Sequence, residues 1–462
     1  MTRPTKLSIS GAHYAALKAH LFPGDGKEAA ALALCGVRHG ANRIAISVRD
    51  LHVIPYAVCT RREPDAISWP VEWMDGLVDQ AESERLAVVK FHSHTGNFRR
   101  FSRADDKSDT ALFAGIHALV DYPLPHASVV MMDDGSMFGR TVGPEGEFHP
   151  IDMIALAGDD IRFCWHRPAL VPDGRVGRDT SAFGRAMTAD MSRLAVAVVG
   201  CSGTGSIVIE QLGRLGIGRL VLVDPEGIET KNLNRVVNAT RDDADRGLSK
   251  VAVAARAIAA MGLGTVVECY ASNLVDRAAI EAIAGCDVLF GCVDSAEGRD
   301  VLNRVSSYYL LPYIDSGVRI RALPDGRIDQ IDGVIHYIRP GGSSLLSREA
   351  YRVTQVAADA LRRRNPELYA ERQKEKYILG AEEEAPAVIS INMTSSAMAV
   401  NELLGRVYQT RHQPNRDYAI TRINLAEMEI EVLAEGAPCP VFAPAVGAGD
   451  IIPMLDLPEL SA

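Results

Sequence analysis

The chain has 462 residues, which is more than one ordinary hydrophobic core accommodates, and this length predicts two domains. With 47% hydrophobic and 23% charged residues it has the composition of a soluble globular protein, and no window approaches the apolar length of a membrane span. The net charge of −10 argues against a dedicated nucleic-acid binder, because such proteins gain affinity by neutralising phosphates.

The amino-terminal stretch and the cysteines narrow the class further. MTRPTKLSIS lacks the apolar core of a signal peptide, so we expect a cytoplasmic protein. None of the eight cysteines stands in a C-x-x-C pair, which gives no support to a zinc ribbon or a thioredoxin-type redox site. In apolar runs such as ALALCG and LFGCVD, we expect the thiols to be reduced and buried.

The sequence pattern divides the chain into four parts. Residues 1–145 carry apolar strands such as LAVVKFHSH and ASVVMMDD, and residues 146–175 have the proline and glycine content of a linker. Residues 176–435 alternate strand, glycine turn, helix and strand, which indicates parallel α/β architecture. The tail, 436–462, is rich in proline, alanine and glycine, and we expect it to be flexible.

The first part contains a candidate metal site. One residue separates His92 from His94, and ten residues separate His94 from Asp105. Two imidazoles at i and i+2 of a strand point to the same side and can bind one Zn²⁺. A carboxylate from the next segment adds a third ligand and leaves the fourth position to water, which loses a proton near neutral pH. This arrangement predicts a catalytic zinc site.

Two more residues complete a hydrolytic site. Glu28, at the head of the apolar run in GKEAAALALCG, is the candidate general base, and Ser102 is the candidate donor to a tetrahedral oxyanion. The H-x-H, the spacer and the aspartate, with the serine in register, resemble the JAMM (MPN) metalloprotease family over residues 10–140. The resemblance implies a cytidine-deaminase-like α/β/α fold and cleavage of peptide or isopeptide bonds at the C-terminus of ubiquitin-like proteins.

The second half contains a candidate nucleotide site. Gly200, Gly203 and Gly205 stand in a loop between the apolar strand LAVAVVG and the helix SIVIEQLGRLG. In such a loop backbone N–H groups approach a phosphate, and the helix N-terminus favours the anion. Asp224 ends the next strand, RLVLVD, at the position of a carboxylate that binds a ribose. These features alone leave an NAD enzyme and an ATP enzyme equally open.

The residues that follow favour ATP. Asn232, Asn234 and Arg235 lie in DPEGIETKNLNR, and Lys250 follows in GLSK. A pyrophosphate leaving group gains negative charge as the α-phosphate is attacked, and fixed Arg and Lys side chains stabilise that charge. Asp294 ends the strand DVLFGCVD, where a carboxylate can hold Mg²⁺ against the triphosphate.

Together these motifs resemble the adenylation domain of the ubiquitin-activating-enzyme and ThiF family, from about Arg178 to Arg321. The resemblance implies a Rossmann-like domain that uses ATP and Mg²⁺ to adenylate a carboxylate, and that works as a homodimer. By position it places Asp224 at the ribose, Asn232, Arg235 and Lys250 around the phosphates, Asp294 on Mg²⁺, and Arg178 in the ATP site of the dimer partner. The stretch AVISINMTSSAMAVNELLG resembles the closing strand and helix of the family's sheet.

The chain departs from this family at its cysteines. Many members carry a C-x-x-C pair for structural zinc where this chain has Ser344 to Ser347, so we expect that zinc site to be absent. Members that form a thioester carry a cysteine before the closing helix, and this chain has none between Cys292 and Cys439. Either activation stops at the acyl-adenylate, or Cys439 in GAPCPVF acts as the nucleophile from the tail.

The two resemblances point to the same substrate class, so we expect a bifunctional enzyme of ubiquitin-like proteins. The protease would trim a precursor or deconjugate a target, and the second domain would adenylate the free C-terminus for a conjugating enzyme or for sulfur transfer. One alternative is a sulfur-carrier protein as the partner, in thiamin, molybdopterin or siderophore assembly. An NAD-dependent oxidoreductase and a non-catalytic assembly protein are alternatives of other classes.

Overall fold

The computed structural model describes residues 3–96, 98–168, 185–322, 328–374 and 388–461. The chain forms two units. Unit 1 comprises Met1–Pro168, Ser307–Leu310 and Pro444–Ala462, and unit 2 comprises Ala169–Ser306 and Leu311–Ala443. Among the described residues, no helix is both long and apolar enough to cross a membrane.

Unit 1 is built on a mixed sheet. The strands are β1 (Thr5–Ser10), β2 (Ala30–His39), β3 (Ile44–Val53), β4 (Arg61–Glu63), β5 (Ala66–Ser68), β6 (Ala87–His94), β7 (Ala127–Met132), β8 (Met137–Val142), β9 (Phe148–Pro150), β10 (Met153–Ala157) and β11 (Ile161–Trp165). Their order in the described sheet is β11-β10-β1-β3-β2-β6-β7-β8-β9, and β4 pairs separately with β5. The helices are α1 (Gly11–Leu21), α2 (Asp75–Ser83) and α3 (Arg103–Leu119).

Strand β2 shows why this sheet has helices on both faces. Its side chains alternate between two buried clusters: Ala31 and Ala33 pack on the side of Leu17 in α1, and Leu32 packs on the side of Phe113 in α3. Successive side chains of a strand point to opposite faces, so a strand that is apolar throughout needs cover on both. The α/β/α layering that the family resemblance implied for the first part is therefore confirmed.

Unit 2 contains a largely parallel sheet. The strands are β12 (Ala195–Val199), β13 (Arg219–Val223), β14 (Val266–Tyr270), β15 (Val288–Gly291), β16 (Tyr313–Ala322), β17 (Ile328–Ile338), β18 (Ile420–Asn424) and β19 (Glu429–Leu433). Their order is β14-β13-β12-β15-β16-β17-β18-β19; the pairs from β14 to β16 are parallel, and those from β16 to β19 are antiparallel. This is the Rossmann-like arrangement that the sequence predicted.

The helices from residue 185 onward connect and cover these strands. They are α4 (Arg185–Met191), α5 (Gly203–Arg214), α6 (Arg241–Asp245), α7 (Lys250–Met261), α8 (Arg277–Ala284), α9 (Ala296–Tyr309), α10 (Val353–Arg364), α11 (Pro366–Lys374) and α12 (Ile389–Tyr408). Helix α5 connects β12 to β13 and α9 connects β15 to β16, as connections between parallel strands require a crossover.

The closing strand expected in AVISINMTSSAMAVNELLG is absent from the described part of that stretch. Residues Ile389–Tyr408 form one helix, α12, and the next strand is β18. The buried positions Ile391, Ser395, Ala399 and Leu403 recur every four residues, which is the period of a helix. The period of two needed for a strand is not present.

The linker boundaries also differ from expectation. The predicted linker began at residue 146, but β9, β10 and β11 belong to the sheet of unit 1, where β10 pairs in parallel with β1. The apolar run MIALA of β10 is buried throughout and therefore completes the sheet. The rest of the predicted linker, from residue 169, lies outside the described residues.

The predicted flexible tail is largely ordered against unit 1. The amide of Gly36 donates to the Gly447 carbonyl (3.1 Å), and the amide of Asp450 donates to the Val37 carbonyl (3.0 Å). Leu455 and Leu460 are buried. Backbone hydrogen bonds and buried leucines together outweigh the proline-, alanine- and glycine-rich composition that had suggested flexibility.

This docking predicts a difference between two glycine substitutions. Gly24 and Gly447 both have positive φ, but a Cβ at Gly24 meets nothing within 4 Å, whereas one at Gly447 would lie 2.3 Å from the Val48 carbonyl oxygen. We expect Gly24→Ala to cost about 1 kcal/mol from backbone strain alone, and Gly447→Ala to cost roughly 1–3 kcal/mol more through the clash. The measurement is chemical unfolding followed by tryptophan fluorescence, because Trp69, Trp73 and Trp165 all lie in unit 1. Equal losses would contradict the docked tail.

Candidate functional site

The three predicted zinc ligands meet in unit 1. His92 and His94 end strand β6, and Asp105 lies in the first turn of α3. The Asp105 carboxylate is 3.1 Å from Nε2 of His92 and 3.6 Å from Nε2 of His94, and one ligand atom from each residue falls within 4.8 Å of the other two. Two imidazoles and one carboxylate form a donor set that fits Zn²⁺ and leaves a coordination position open.

The neighbouring backbone orients these ligands. Ser102 is the N-cap of α3, and both its amide and its hydroxyl donate to the Asp105 carboxylate at 2.7 Å. Nδ1 of His94 lies 2.8 Å from the Phe98 carbonyl oxygen, which leaves Nε2 for a metal. Burial alone would raise the pKa of Asp105, but the hydrogen bonds from His92 and His94 lower it, so the carboxylate is held ionised.

Glu28 lies two residues before β2, and the charges of His94 and Asp105 act on its carboxylate. Ala29 donates to the Ser93 hydroxyl (2.9 Å), and the Ser93 amide donates back to the Ala29 carbonyl (3.1 Å), so the residue between the two histidines fixes the position of Glu28. The Glu28 side chain is buried, and burial raises its pKa to about 7. A carboxylate with such a pKa can both accept and release a proton near neutrality.

An ionic cluster that sequence reasoning missed anchors the helix that carries Asp105. Lys90, two residues before His92, pairs with the fully buried Asp109 of α3. Arg140 of β8 also pairs with Asp109 at 2.7 Å, and its guanidinium lies between the rings of Phe101 (3.8 Å) and Phe148 (3.7 Å). A lysine inside the apolar strand LAVVKFHSH was the available sequence signal, because a charge there needs a buried partner.

The predicted nucleotide-binding residues follow adjacent strands of unit 2. The amide of Gly200 donates to the Val223 carbonyl, and the amide of Cys292 donates to the Val199 carbonyl, so the loops after β12, β13 and β15 share the carboxyl edge of the sheet. A Cβ at Gly205 would lie 1.7 Å from the Gly200 carbonyl oxygen, which is why the loop can turn only with glycine there. This edge is where open α/β sheets bind ligands.

Asp224 and Lys250 are both buried behind this loop. The Asp224 carboxylate accepts from the amides of Cys201 (2.7 Å) and Glu226 (2.9 Å). Burial raises the pKa of Asp224, against the opposing effect of the Lys250 charge. Lys250 itself pairs with the exposed Glu226. The sequence-predicted carboxylate and lysine are thus electrostatically coupled.

The polar residues of the NLNR segment lie in different environments. Asn232 is buried, and its side chain accepts from the Glu229 amide (3.0 Å), so it shapes the turn. Arg235 donates to the Lys231 carbonyl (3.0 Å) and to the Asn234 side chain (3.2 Å). A Cβ at Gly203 would lie 3.3 Å from Cδ of Arg235, so this arginine reaches the glycine loop.

The remaining predicted site residues are Asp294, Cys439 and Arg178. Asp294 is exposed, between the end of β15 and the start of α9. Cys439 is 1% exposed, and its amide donates to the Gly342 carbonyl (2.9 Å), in the segment after β17. Arg178 lies outside the described residues.

Comparison with known proteins finds a family match in each part of the chain. Residues 176–344 match the model of the ThiF family, and residues 10–138 match the model of prokaryotic homologs of the JAB domain. Ubiquitin-like modifier-activating enzyme 5 of Drosophila mojavensis is 33% identical over 159 residues, and that of Drosophila willistoni is 32% identical over 161 residues. In both cases the match covers 32% of this chain and only 37% of the relative's length.

Solved structures are also similar in part. E. coli MccB with succinimide covers 59% of this chain and 76% of its own, with 18% identity and a TM-score of 0.44. MccB with AMPCPP and MccA covers 59% and 74%, with 18% identity and a TM-score of 0.45.

The ionic cluster under the metal site generates a stability prediction. Asp109→Ala would leave the buried Lys90 and Arg140 without their shared partner, and we expect a loss of about 3–5 kcal/mol. Asp106→Ala is the matched control, because Asp106 pairs with the same arginine from a half-exposed position and should cost less than about 1 kcal/mol. Tryptophan fluorescence during chemical unfolding measures both; a small loss for Asp109→Ala would remove the proposed anchor.

Proposed function

Because the chain joins a JAB-like domain at residues 10–138 to a ThiF-family domain at residues 176–344, we propose that it both activates and processes a ubiquitin-like protein. The activation reaction is adenylation of the C-terminal carboxylate with ATP. The observation that carries this proposal is the convergence of the glycine loop, Asp224, Arg235 and Lys250 at one edge of the sheet in the ThiF-matching segment.

In the proposed adenylation, a substrate carboxylate oxygen forms a bond to the α-phosphorus of ATP as the α–β bridging bond breaks and pyrophosphate leaves. Backbone amides of the glycine loop bind phosphate oxygens, and Asp224 accepts from the ribose hydroxyls. Arg235 and Lys250 stabilise the charge that grows on the leaving group. Asp294 would hold Mg²⁺, which supplies charge neutralisation at the phosphates.

We propose further that this chain's own activation chemistry ends at the acyl-adenylate. Cys439 is buried, whereas a cysteine that accepts an acyl group must be reached by the substrate's C-terminus. The acyl group then passes to a thiol or a sulfur donor on another protein, for example a conjugating enzyme. We also propose a homodimer in which Arg178 serves the partner's ATP site.

The adenylation proposal predicts ATP–pyrophosphate exchange that depends on a ubiquitin-like substrate. Arg235→Ala should reduce the exchange rate by about 10²–10³-fold, because it removes a fixed cation from the leaving-group site. Arg241→Ala is the control, since Arg241 is an exposed arginine of the next helix. Intact mass spectrometry of the enzyme without reductant should show no thiol-sensitive adduct. Full exchange activity in Arg235→Ala would contradict the assigned role, and an adduct lost in Cys439→Ser would contradict the adenylate end point.

We propose peptidase or isopeptidase chemistry for the JAB-like domain. His92, His94 and Asp105 would hold Zn²⁺, which supplies a Lewis acid and lowers the pKa of bound water. Glu28 accepts the proton of the attacking water and returns it to the leaving amine. The Ser102 hydroxyl orients Asp105 by donating a hydrogen bond to its carboxylate. A contact between Ser102 and an oxyanion stays a prediction.

The peptidase proposal predicts that one variant loses the metal and that another keeps the metal but loses proton transfer. Asp105→Ala should lose zinc, measured by elemental analysis of the purified chain, because one ligand of three is removed. Glu28→Gln should retain zinc yet hydrolyse a fluorogenic peptide amide with a C-terminal glycine about 10²–10⁴-fold more slowly. Glu63→Gln is the control, since its exposed side chain pairs with Arg61 and its backbone alone contacts Glu28. Undiminished hydrolysis by Glu28→Gln would exclude it as the base.

A further inference from the structure

Asn392 on helix α12 is a buried polar residue that none of the chemistry above uses. The residue is 4% exposed, and no described residue hydrogen-bonds its carboxamide. Neither amide atom is among the fully buried side-chain atoms that lack a partner, so the amide keeps contact with solvent. An amide on a largely buried residue that is open to solvent and bonded to no other residue is available to bind a ligand.

The carboxamide points at the glycine loop. A Cβ at Gly203 would lie 2.3 Å from Nδ2 of Asn392 and 3.3 Å from Cδ of Arg235. Gly203 is the first residue of α5, where backbone N–H groups have no partner within the helix. The Asn392 amide and the Arg235 side chain therefore both lie beside Gly203 at a helix N-terminus, and an amide donor, an arginine and a helix N-terminus each favour an anion.

Neighbouring residues hold α12 in this position. The Ser396 hydroxyl donates to the Thr204 carbonyl (3.0 Å), and the Ser395 hydroxyl lies 3.0 Å from the Ser316 hydroxyl. Asn392, Ser395 and Ser396 are spaced i, i+3 and i+4, so they share one face of the helix. The face that is bonded to the loop is thus the same face that presents Asn392.

We propose that the side-chain NH₂ of Asn392 donates a hydrogen bond to a phosphate oxygen of the bound nucleotide. This inference rests on the proposed ATP site and adds to it a residue about 190 positions beyond the glycine loop. It also gives α12 a role, because the helix then adds a hydrogen-bond donor beside the glycine loop.

The test is titration calorimetry of the full chain with Mg²⁺ and the non-hydrolysable analogue AMPCPP, compared with adenosine. Asn392→Asp places a negative charge at the phosphate and Asn392→Ala removes the donor, so both should weaken AMPCPP binding by roughly tenfold or more. Adenosine affinity should change little, because adenosine has no phosphate. Asn401→Asp is the matched control, being the same change at an exposed position of the same helix.

Each outcome has a distinct meaning. A loss confined to AMPCPP in both variants, with thermal unfolding as in the parent chain, supports the phosphate contact. Equal losses for AMPCPP and adenosine, or no loss in Asn392→Ala, overturn it while leaving the ATP site intact. If the parent chain itself binds no AMPCPP, the proposed adenylation function fails together with the inference.

Discussion

Strands buried on both faces constrain where this protein can place chemistry. Neither face of such a strand contacts water. A polar side chain is therefore tolerated only at the end of the strand, where it leaves the core, or where an opposite charge pairs with it. In unit 1, His92 and His94 lie among the last three residues of β6. In unit 2, the glycine loop and Asp224 follow the last residues of β12 and β13. Both candidate sites are therefore products of the same restriction.

Several buried charges among the described residues are matched by partners. Asp109 pairs with Lys90 and Arg140, Asp315 pairs with Arg299, and Glu402 pairs with Arg406. Asn392 differs from these groups, because no described residue hydrogen-bonds its amide, and the amide nitrogen lies beside Gly203 of the glycine loop. The contrast between matched and unmatched polar groups separates structural clusters from candidate binding groups.

The two proposed activities are chemically consecutive. Hydrolysis at the C-terminus of a ubiquitin-like protein produces a free carboxylate, and adenylation consumes one. A single chain with both domains can therefore supply its own substrate to its second site. The buried position of Cys439 fits a chain that forms the adenylate and transfers the acyl group elsewhere.

The sequence by itself determined the parts of the molecule in which local pattern and chemistry coincide. The strand, glycine-turn and helix pattern predicted the α/β class of the second part, because side-chain period and turn chemistry are properties of short segments. The fold of the first part was implied by the family resemblance that the H-x-H spacing carries. The site residues stay predictions, although the structure brings His92, His94 and Asp105 together and places Arg235 at the loop.

Only the tertiary structure decided the features that depend on contacts between distant segments. Strand β10 requires β1 as a partner, and the ordered tail requires the backbone of Gly36 and Val37. The Asp109 cluster and the approach of Asn392 to Gly203 join residues that no local pattern relates. A polar residue in a sequence shows only that it needs a partner; the fold decides whether that partner is a side chain, the backbone or a ligand.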